Sequence, residues 1–436
     1  MGNSELTVQQ PHPYPDSYYA ASADISNLHP SLTDSVETDI CIIGAGYTGL
    51  STGLFLAEKG CKVVIVEASR VGWGGAGRNG GHLINGFSGG MAYLEKALGK
   101  DKSDSFAAYH FEGTEIVKDF VTRYDIDCDL KAGQISAAYT NRQLKGLESW
   151  SRMLERYGIT SRAMLDKREV QKKVGSNVYL GGSFDETSGH LHPLKLALGE
   201  AIAFESLGGK IFEQSPMTSI ERQGGTIMVR TTNGLVRAKK ALLCGEGYLG
   251  NTVKPLAKRV MPASTHVMAT RPLDDGMLKQ VLPADTSVSD CRNIMDYFRL
   301  SADKRLIFGG GVGYDGATPA DIEATLRKNM EKVFPQLKGI QVDYAWSGNM
   351  AITSNRYVQV GELEPNVYFA HGFGGHGVNN THTFGRIMAD ALVEKLDEYN
   401  AFAKVPWSSF PGGQQFRIPY SVAGSWWYGL RDYLGI

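Results

Sequence analysis

The sequence predicts an α/β fold in which a parallel strand-and-helix unit, interrupted along the chain, is joined to a second unit built on an antiparallel sheet. Three observations predict it. Val36 to Ser69 reads as strand, glycine turn, helix, strand. Signals of the same kind resume at Gly189 after a long excursion. From about Pro262 to Asp343 short runs alternate with period two and are broken by turn residues.

In the first stretch, Asp39 to Ile43 is a short apolar run, and Gly44, Gly46 and Gly49 follow with GxGxxG spacing where a helix begins. The first glycine makes a tight turn, the second lets backbone approach a pyrophosphate, and the third lets helix pack on strand. The helix N-terminus then presents free N–H groups and a positive dipole end to phosphate. Lys62 to Val66 forms a second strand that ends at Glu67, eighteen residues after Gly49. An acid there suits a free ribose 2′-hydroxyl and disfavours a 2′-phosphate, which selects FAD or NAD over NADP in a Rossmann-like domain. The bare pattern recurs from Gly72, Gly75, Gly245, Gly311 and Gly372. Only Gly44 has strand, amphipathic helix and terminal acid around it; after Gly245, Lys254 and Pro255 soon interrupt any helix.

A chain of 436 residues is too long for one compact core, so two domains are expected. With 42% hydrophobic and 21% charged residues it is globular, and its 52 glycines suit backbone wrapped closely around a ligand. The net charge of −1 and the lack of any lysine–arginine run exclude a nucleic-acid or anionic-membrane footprint. Cys41, Cys61, Cys128, Cys244 and Cys291 are scattered and mostly within apolar runs, which reads as buried thiols in a reducing compartment, with neither disulfides nor metal. No basic n-region with an apolar h-region opens the chain and no apolar run would span a bilayer, so a cytoplasmic location is expected.

Taken in order, residues 1–35 form a lead segment with Pro11, Pro13 and Pro15, partly docked through Tyr14, Tyr18 and Tyr19. The nucleotide domain occupies 36–95, including the glycine-dense loop Ala68 to Phe87 with Arg78, Asn79 and His82. Ordering so many glycines costs chain entropy, which an extended ligand would offset. Residues 96–188 start the second domain. The first resumes over 189–260, where Pro193 opens a helix that runs to about Ser206 and ends at Gly208 and Gly209. His190 and His192 lack a third ligand at recognisable spacing, so a structural role is favoured over metal. Thr226 to Thr232 and Leu235 to Leu243 read as strands.

The second domain returns over 261–343, with NIMDYFRLS and RLIFGGG forming a hairpin across Ala302 to Lys304. Tyr297 and Arg299 share one face, either as an anchor for a small carboxylate or as a surface cross-strand pair; Phe298 and Leu300 take the other. Residues 344–400 rejoin the first domain, with strands at Val358 to Gly361 and Val367 to Ala370, the loop HGFGGHGVNN, and a helix from Thr381 to Leu396. The segment 401–436 is read as a tail packed on the body. Its Trp426, Leu430, Tyr433 and Leu434 could share a helical face with only Arg431 as a nearby cation. That favours docking on the parent body, or on a sister subunit in a homo-oligomer, over a membrane surface.

GRNGGH at 77–82, DYFRLSADKRL at 296–306 and GHGV at 375–378, together with the Gly44 site, resemble the FAD-dependent amine oxidases of the D-amino-acid oxidase and glycine oxidase superfamily. The likeness runs from Ser17 through RDYLG and implies non-covalent FAD with a substrate domain whose antiparallel sheet covers the flavin. By that resemblance Gly44, Gly46, Tyr47, Thr48, Gly49, Glu67 and Ala68 hold the ADP half, with Met217 near adenine. Gly75, Ala76, Gly77, Arg78, Gly81, His82 and Leu83 follow the pyrophosphate towards the ring. Gly245 and Gly348 also belong to the cofactor wall, and Gly374, Gly375, His376, Gly377 and Val378 close on the pyrimidine edge.

Three departures stand out. Gly77 occupies a position often held by serine. None of the cysteines lies near the C-terminal loop used for covalent attachment. No lysine matches the one some relatives place against the flavin for reaction with oxygen.

The implied reaction is oxidative deamination of the terminal amine of a gamma-glutamylated amine to an aldehyde, with molecular oxygen as acceptor. Tyr297 and Trp346 would provide aromatic walls that disfavour the charged amine. His82 or His376 would accept its proton, and Arg299 and Arg356 would grip the glutamyl carboxylate. The alternatives are a flavin dehydrogenase for an amino acid or N-methyl amine, a flavin-bound scaffold without turnover, and an NAD-linked dehydrogenase.

Overall fold

The computed structural model describes residues 13–314, 321–407, 409–410, 419, 421–424, 426–427, 429 and 431. Its first sheet is ordered Gln359–Glu364, Val367–His371, Leu235–Leu243, Ser35–Ile43, Val63–Val66, Lys210–Phe212, and the inner pairs are all parallel. The pair Met217–Gln223 and Thr226–Thr231 joins antiparallel on the first half of Leu235–Leu243. Both faces of this sheet are covered, which is why its strands read as near-continuous apolar runs. Ile40, Ile42, Val63 and Ile65 pack under the helices Tyr47–Glu58 and Pro193–Ser206. Cys41, Ile43, Val64 and Val66 face the opposite way, onto Ile227 and Val229 of the antiparallel pair.

The helix after the second glycine loop spans Gly377–Leu392, beginning four residues before Thr381 and ending short of Leu396. It crosses Tyr47–Glu58 at close range. A Cβ on Gly385 would stand 2.1 Å from Ser51 Oγ, whose hydroxyl donates to the Thr381 carbonyl at 3.1 Å. The helix Phe106–Arg123 packs with these two, burying Phe106, Val117 and Phe120 in the core they share. Its segment, 96–188, therefore does not lie wholly with the second unit as expected.

The second sheet runs Val342–Thr353, Val260–Thr270, Leu306–Tyr314, Tyr297–Leu300, Ser287–Asp290, Lys131–Ala138, Gly181–His190, His82–Leu83, with Arg162–Leu165 also on Gly181–His190. Every pairing is antiparallel except Ser287–Asp290 with Lys131–Ala138. The expected hairpin is present, pairing Phe298 with Phe308 and Leu300 with Leu306. Those four side chains lie in the core beneath the helix Ile322–Val333. Val342–Thr353 corrects the boundary drawn at 344: this strand pairs along its length with Val260–Thr270 and so belongs to the antiparallel sheet. Long-range pairing partners decide that, and local composition carries no record of them.

From residue 13 onward the lead segment is docked, with the short helix Tyr18–Ser22 burying Tyr18 and Tyr19. Tyr14 donates its hydroxyl to the Val71 carbonyl at 2.6 Å and Tyr18 to Asp303 at 2.7 Å, so the segment bridges loops of both sheets. Trp426 is 77% exposed, against the packed tail expected there, and Leu430, Tyr433 and Leu434 lie outside the described residues. All five cysteines carry free thiols. Among the described residues no helix is long and apolar enough to cross a membrane. His192 caps the helix Pro193–Ser206 by accepting from Lys195 N at 3.2 Å, and His190 meets the Asp285 carbonyl at 3.1 Å, so both serve the structure.

Candidate active site

One continuous cavity of about 620 Å3 lies between the two sheets. At one end it is bounded by the first glycine turn. Gly44 has φ +109°, and a Cβ there would press on the Cys244 carbonyl oxygen at 3.0 Å. A Cβ on Gly49 would meet the Gly44 carbonyl oxygen at 2.0 Å, so only glycine lets the helix seat against its turn. Around Gly46, by contrast, nothing stands closer to such an atom than the Ala76 Cβ at 3.8 Å. The three positions thus have the steric roles that their spacing implies. Glu67 is fixed beside them, accepting from Ala45 N and Ser69 N at 2.8 Å each, and burial raises the pKa of its carboxyl.

Of the residues singled out from sequence, Gly44, Gly46, Tyr47, Thr48, Glu67, Ala68, Gly75, Ala76, Arg78, His82, Met217 and Gly245 line the cavity. So do Tyr297, Gly348, Arg356, Gly374, Gly375, His376, Gly377 and Val378. Six do not reach its wall: Gly49, Gly77, Gly81, Leu83, Arg299 and Trp346. Gly77 and Gly81 are glycine because a Cβ would stand 2.3 Å from the Gly72 and Leu191 carbonyl oxygens respectively. The departure from serine at Gly77 is therefore steric: this turn has no room for a side chain. Leu83 is fully buried core.

Arg299 and Trp346 correct two expectations. Arg299 is 2% exposed, and its guanidinium donates to Gly80 O at 2.8 Å, Leu300 O at 3.1 Å and Tyr19 Oη at 3.1 Å. It holds the glycine loop from behind, with no approach for a substrate carboxylate. Trp346 likewise stands behind the loop, donating Nε1–H to Arg78 O at 3.0 Å and packing edge-on against Tyr19. Strand alternation gives the face on which a side chain lies; it does not give what is stacked above that face.

Tyr297 does form a wall. Its ring fills the space beside Gly80 and Gly309, where Cβ atoms would lie 2.5 and 2.1 Å from it, and meets His82 edge-on at 5.5 Å. Burial raises the pKa of its phenol. Neither ring nitrogen of His82 has a hydrogen-bond partner, and burial, reinforced by the charge of Arg299, holds its pKa well below the usual imidazole value. His376, at the start of Gly377–Leu392, is pushed down to about 4 by burial and by the Arg162 charge. Both imidazoles are neutral at pH 7 and present lone pairs. Arg356, at φ +60°, sits exposed on the turn between Val342–Thr353 and Gln359–Glu364 and so belongs to the rim.

Sequence reasoning missed two groups. Glu246 lies beside Gly245 within CGEGYLG, a stretch in which only the glycine was singled out. It adopts φ +46° and accepts from Gly372 N at 2.8 Å, Phe373 N at 3.1 Å and Ala351 N at 3.3 Å, which ties the second glycine loop to the antiparallel sheet. Burial raises its carboxyl to about 7. The other group, Asn85, His110, Gln134 and Arg162, lines the far wall from four separate parts of the chain, and no local motif marks it.

The residues present fit an extended flavin dinucleotide. The glycine cradle leaves room for a pyrophosphate, the acid at the strand end lines the same cavity where a ribose would lie, and the cavity continues without a break to a chamber of neutral imidazoles and a phenol. Such a cradle and chamber define a flavin-dependent oxidoreductase. The chain belongs to the FAD dependent oxidoreductase family, which it matches over residues 39–391, and FAD is its cofactor.

It is 42% identical to the gamma-glutamylputrescine oxidoreductase of Escherichia coli (strain K12) over 421 residues, covering 96% of this chain and 99% of that protein. A probable oxidoreductase, OrdL, of Haemophilus influenzae is 36% identical over 95% of this chain and 97% of its own length. Among solved structures, glycine oxidase from Bacillus cereus superposes with a TM-score of 0.69 at 20% identity, covering 86% of this chain and 99% of that one. L-Proline dehydrogenase from P. horikoshii gives 0.69 at 18%, covering 84% and 94%. At such identities these two likenesses concern the fold alone.

Proposed function

We propose that this protein oxidises the terminal amine of gamma-glutamylputrescine, or of a similar gamma-glutamylated amine, to the aldehyde, releasing ammonia and hydrogen peroxide in the cytoplasm. The observation that carries the reading is the 42% identity, over nearly all of both chains, to the gamma-glutamylputrescine oxidoreductase of Escherichia coli. In this reading Gly44, Gly46, Thr48, Glu67 and Met217 hold the ADP half of the cofactor. Arg78 and His82 follow it to the ring, and Gly374 to Val378 close on the pyrimidine edge.

Hydride acceptance from the carbon beside the amine is the chemistry that bound, non-covalent FAD supplies. The chain's own task is to bind, orient and deprotonate. A protonated amine has no lone pair to assist loss of hydride, and the apolar walls around Tyr297 favour its neutral form by desolvation. His82 and His376, both neutral, offer acceptors for the ammonium hydrogens as the amine enters. Arg356 lies exposed at the rim of the same cavity.

A second reading, transfer to an acceptor other than oxygen, has one observation in its favour: among the described residues no lysine lines the cavity. A panel of free and gamma-glutamylated amines, assayed for peroxide and for anaerobic bleaching of the bound flavin, tests both. Bleaching together with peroxide is expected for the gamma-glutamylated members. Bleaching without peroxide would establish the second reading, and activity on free putrescine alone would defeat the glutamyl assignment.

A further inference from the structure

Arg162 opens the short strand Arg162–Leu165, on the edge of Gly181–His190, and turns its side chain into the cavity. That side chain is 2% exposed, with the guanidinium stacked 4.0 Å above the Trp150 ring. Its polar contacts are incomplete. Nη1 reaches Ser183 Oγ only at 3.5 Å, Nη2 stands 3.5 Å from Asp185 Oδ2, and Nε and Nη2 have no hydrogen-bond partner.

Asp185 cannot fully satisfy it, because the carboxylate already accepts from Asn85 Nδ2 at 3.2 Å, Thr187 N at 3.0 Å, Thr187 Oγ1 at 2.7 Å and Ser188 Oγ at 2.9 Å. A buried guanidinium with open donors is costly unless a ligand completes it, and its planar fork matches a carboxylate. Two buried acceptors on the same cavity wall are also unpartnered: Asn85 Oδ1, on a residue 1% exposed, and Gln134 Oε1, on a residue 0% exposed. Both amides are locked by their other ends, Asn85 Nδ2 on Thr187 Oγ1 at 2.7 Å and Gln134 Nε2 on Ser289 Oγ at 3.0 Å. Burial holds His110 beside them at about 4, so its imidazole is neutral and adds no competing cation.

We propose that Arg162, with Asn85 and Gln134, forms a subsite for the zwitterionic α-amino-acid head of the substrate. The guanidinium takes the α-carboxylate and the two amide oxygens take the α-ammonium. This subsite does the work that the sequence assigned to Arg299. The identity of the head rests on the proposed amine oxidation of a gamma-glutamylated substrate, but the chemistry read by the subsite follows from its own donors and acceptors. Arg162 is a specificity residue here and takes no part in the redox step.

The test uses the FAD-loaded protein and an inert ligand, gamma-glutamylbutylamine, which lacks the oxidisable terminal amine, followed by calorimetry. Its partner probe is the same compound with the α-carboxylate converted to a carboxamide. Arg162→Met is expected to weaken the carboxylate ligand about 100-fold, as a lost bidentate charged pair would, and to leave the carboxamide probe unchanged. Arg162→Lys, which keeps the charge and loses the fork, is expected to weaken it about tenfold. In steady-state assays the variants raise KM for the gamma-glutamylated amine, while kcat and the KM for N-acetylputrescine stay put.

Equal binding of both probes to the wild-type protein would overturn the subsite without any variant, and so would failure of the carboxylate probe to bind. An Arg162→Lys protein that retains its flavin and binds both probes as the wild type does would overturn it as well. Tight, Arg162-dependent binding by a protein that oxidises no gamma-glutamylated amine would instead sink the reaction assigned above and leave the subsite standing.

Discussion

Glu246 shows how much a single buried carboxylate organises here. Three backbone N–H groups from two separate segments converge on it, yet burial raises its carboxyl from 4.5 to about 7. A carboxyl whose folded pKa is raised binds its proton more tightly in the native state than in the unfolded chain. Its contribution therefore favours the fold at low pH and declines as pH rises from about 4.5 to about 7. Glu246→Gln keeps an acceptor and removes the charge, so its melting temperature, measured from pH 5 to 8 relative to wild type, should climb with pH. A difference that stays flat would mean that Glu246 is not the titrating group. Glu246→Ala leaves three buried donors unpaired and should cost about 2–4 kcal/mol by denaturant melts, with weakened flavin retention. At this scale the glycines were legible because their roles are steric and local, whereas Arg299 was misread because its environment is supplied by Tyr19 and Gly80, far away in sequence.

Elements were legible in proportion to how local their causes are. The strand, turn, helix and strand of 35–66 lie where periodicity put them, as do the helix Pro193–Ser206 and the hairpin of Tyr297–Leu300 with Leu306–Tyr314. The boundary drawn between 343 and 344 cuts the strand Val342–Thr353, because only its ladder with Val260–Thr270 decides which sheet it joins. Packing between elements carries its own expectation. Tyr47–Glu58 and Gly377–Leu392 touch through Gly385, where a side chain would run into Ser51 Oγ at 2.1 Å. Gly385→Val should destabilise the protein by about 1–3 kcal/mol through overpacking, read from chemical denaturation. Gly424, with nothing within 4 Å of its would-be Cβ, is the matched control for the same substitution and should change little.

At the scale of the whole molecule, the two sheets enclose a cavity long enough to hold the dinucleotide, and the lead segment bridges loops of both. FAD binds the folded chain and not the unfolded one, so free cofactor at 1,000 times its Kd should add about 4 kcal/mol of stability. Stripping the flavin should lower the melting temperature and readdition should restore it in a concentration-dependent way, as scanning calorimetry would register. An apoprotein that melts where the holoprotein does would mean the cavity is not the cofactor site.

The sequence by itself determined the nucleotide cradle, the choice against NADP, the paired architecture and the relatedness, because turn sterics, strand period and an acid at a fixed distance are written in adjacent residues. Only the tertiary structure decided that Arg162, and not Arg299, lines the cavity. It also decided which acid ties the second glycine loop and which sheet owns Val342–Thr353. Burial and partnering depend on residues brought together from across the chain, and no short window of sequence contains them.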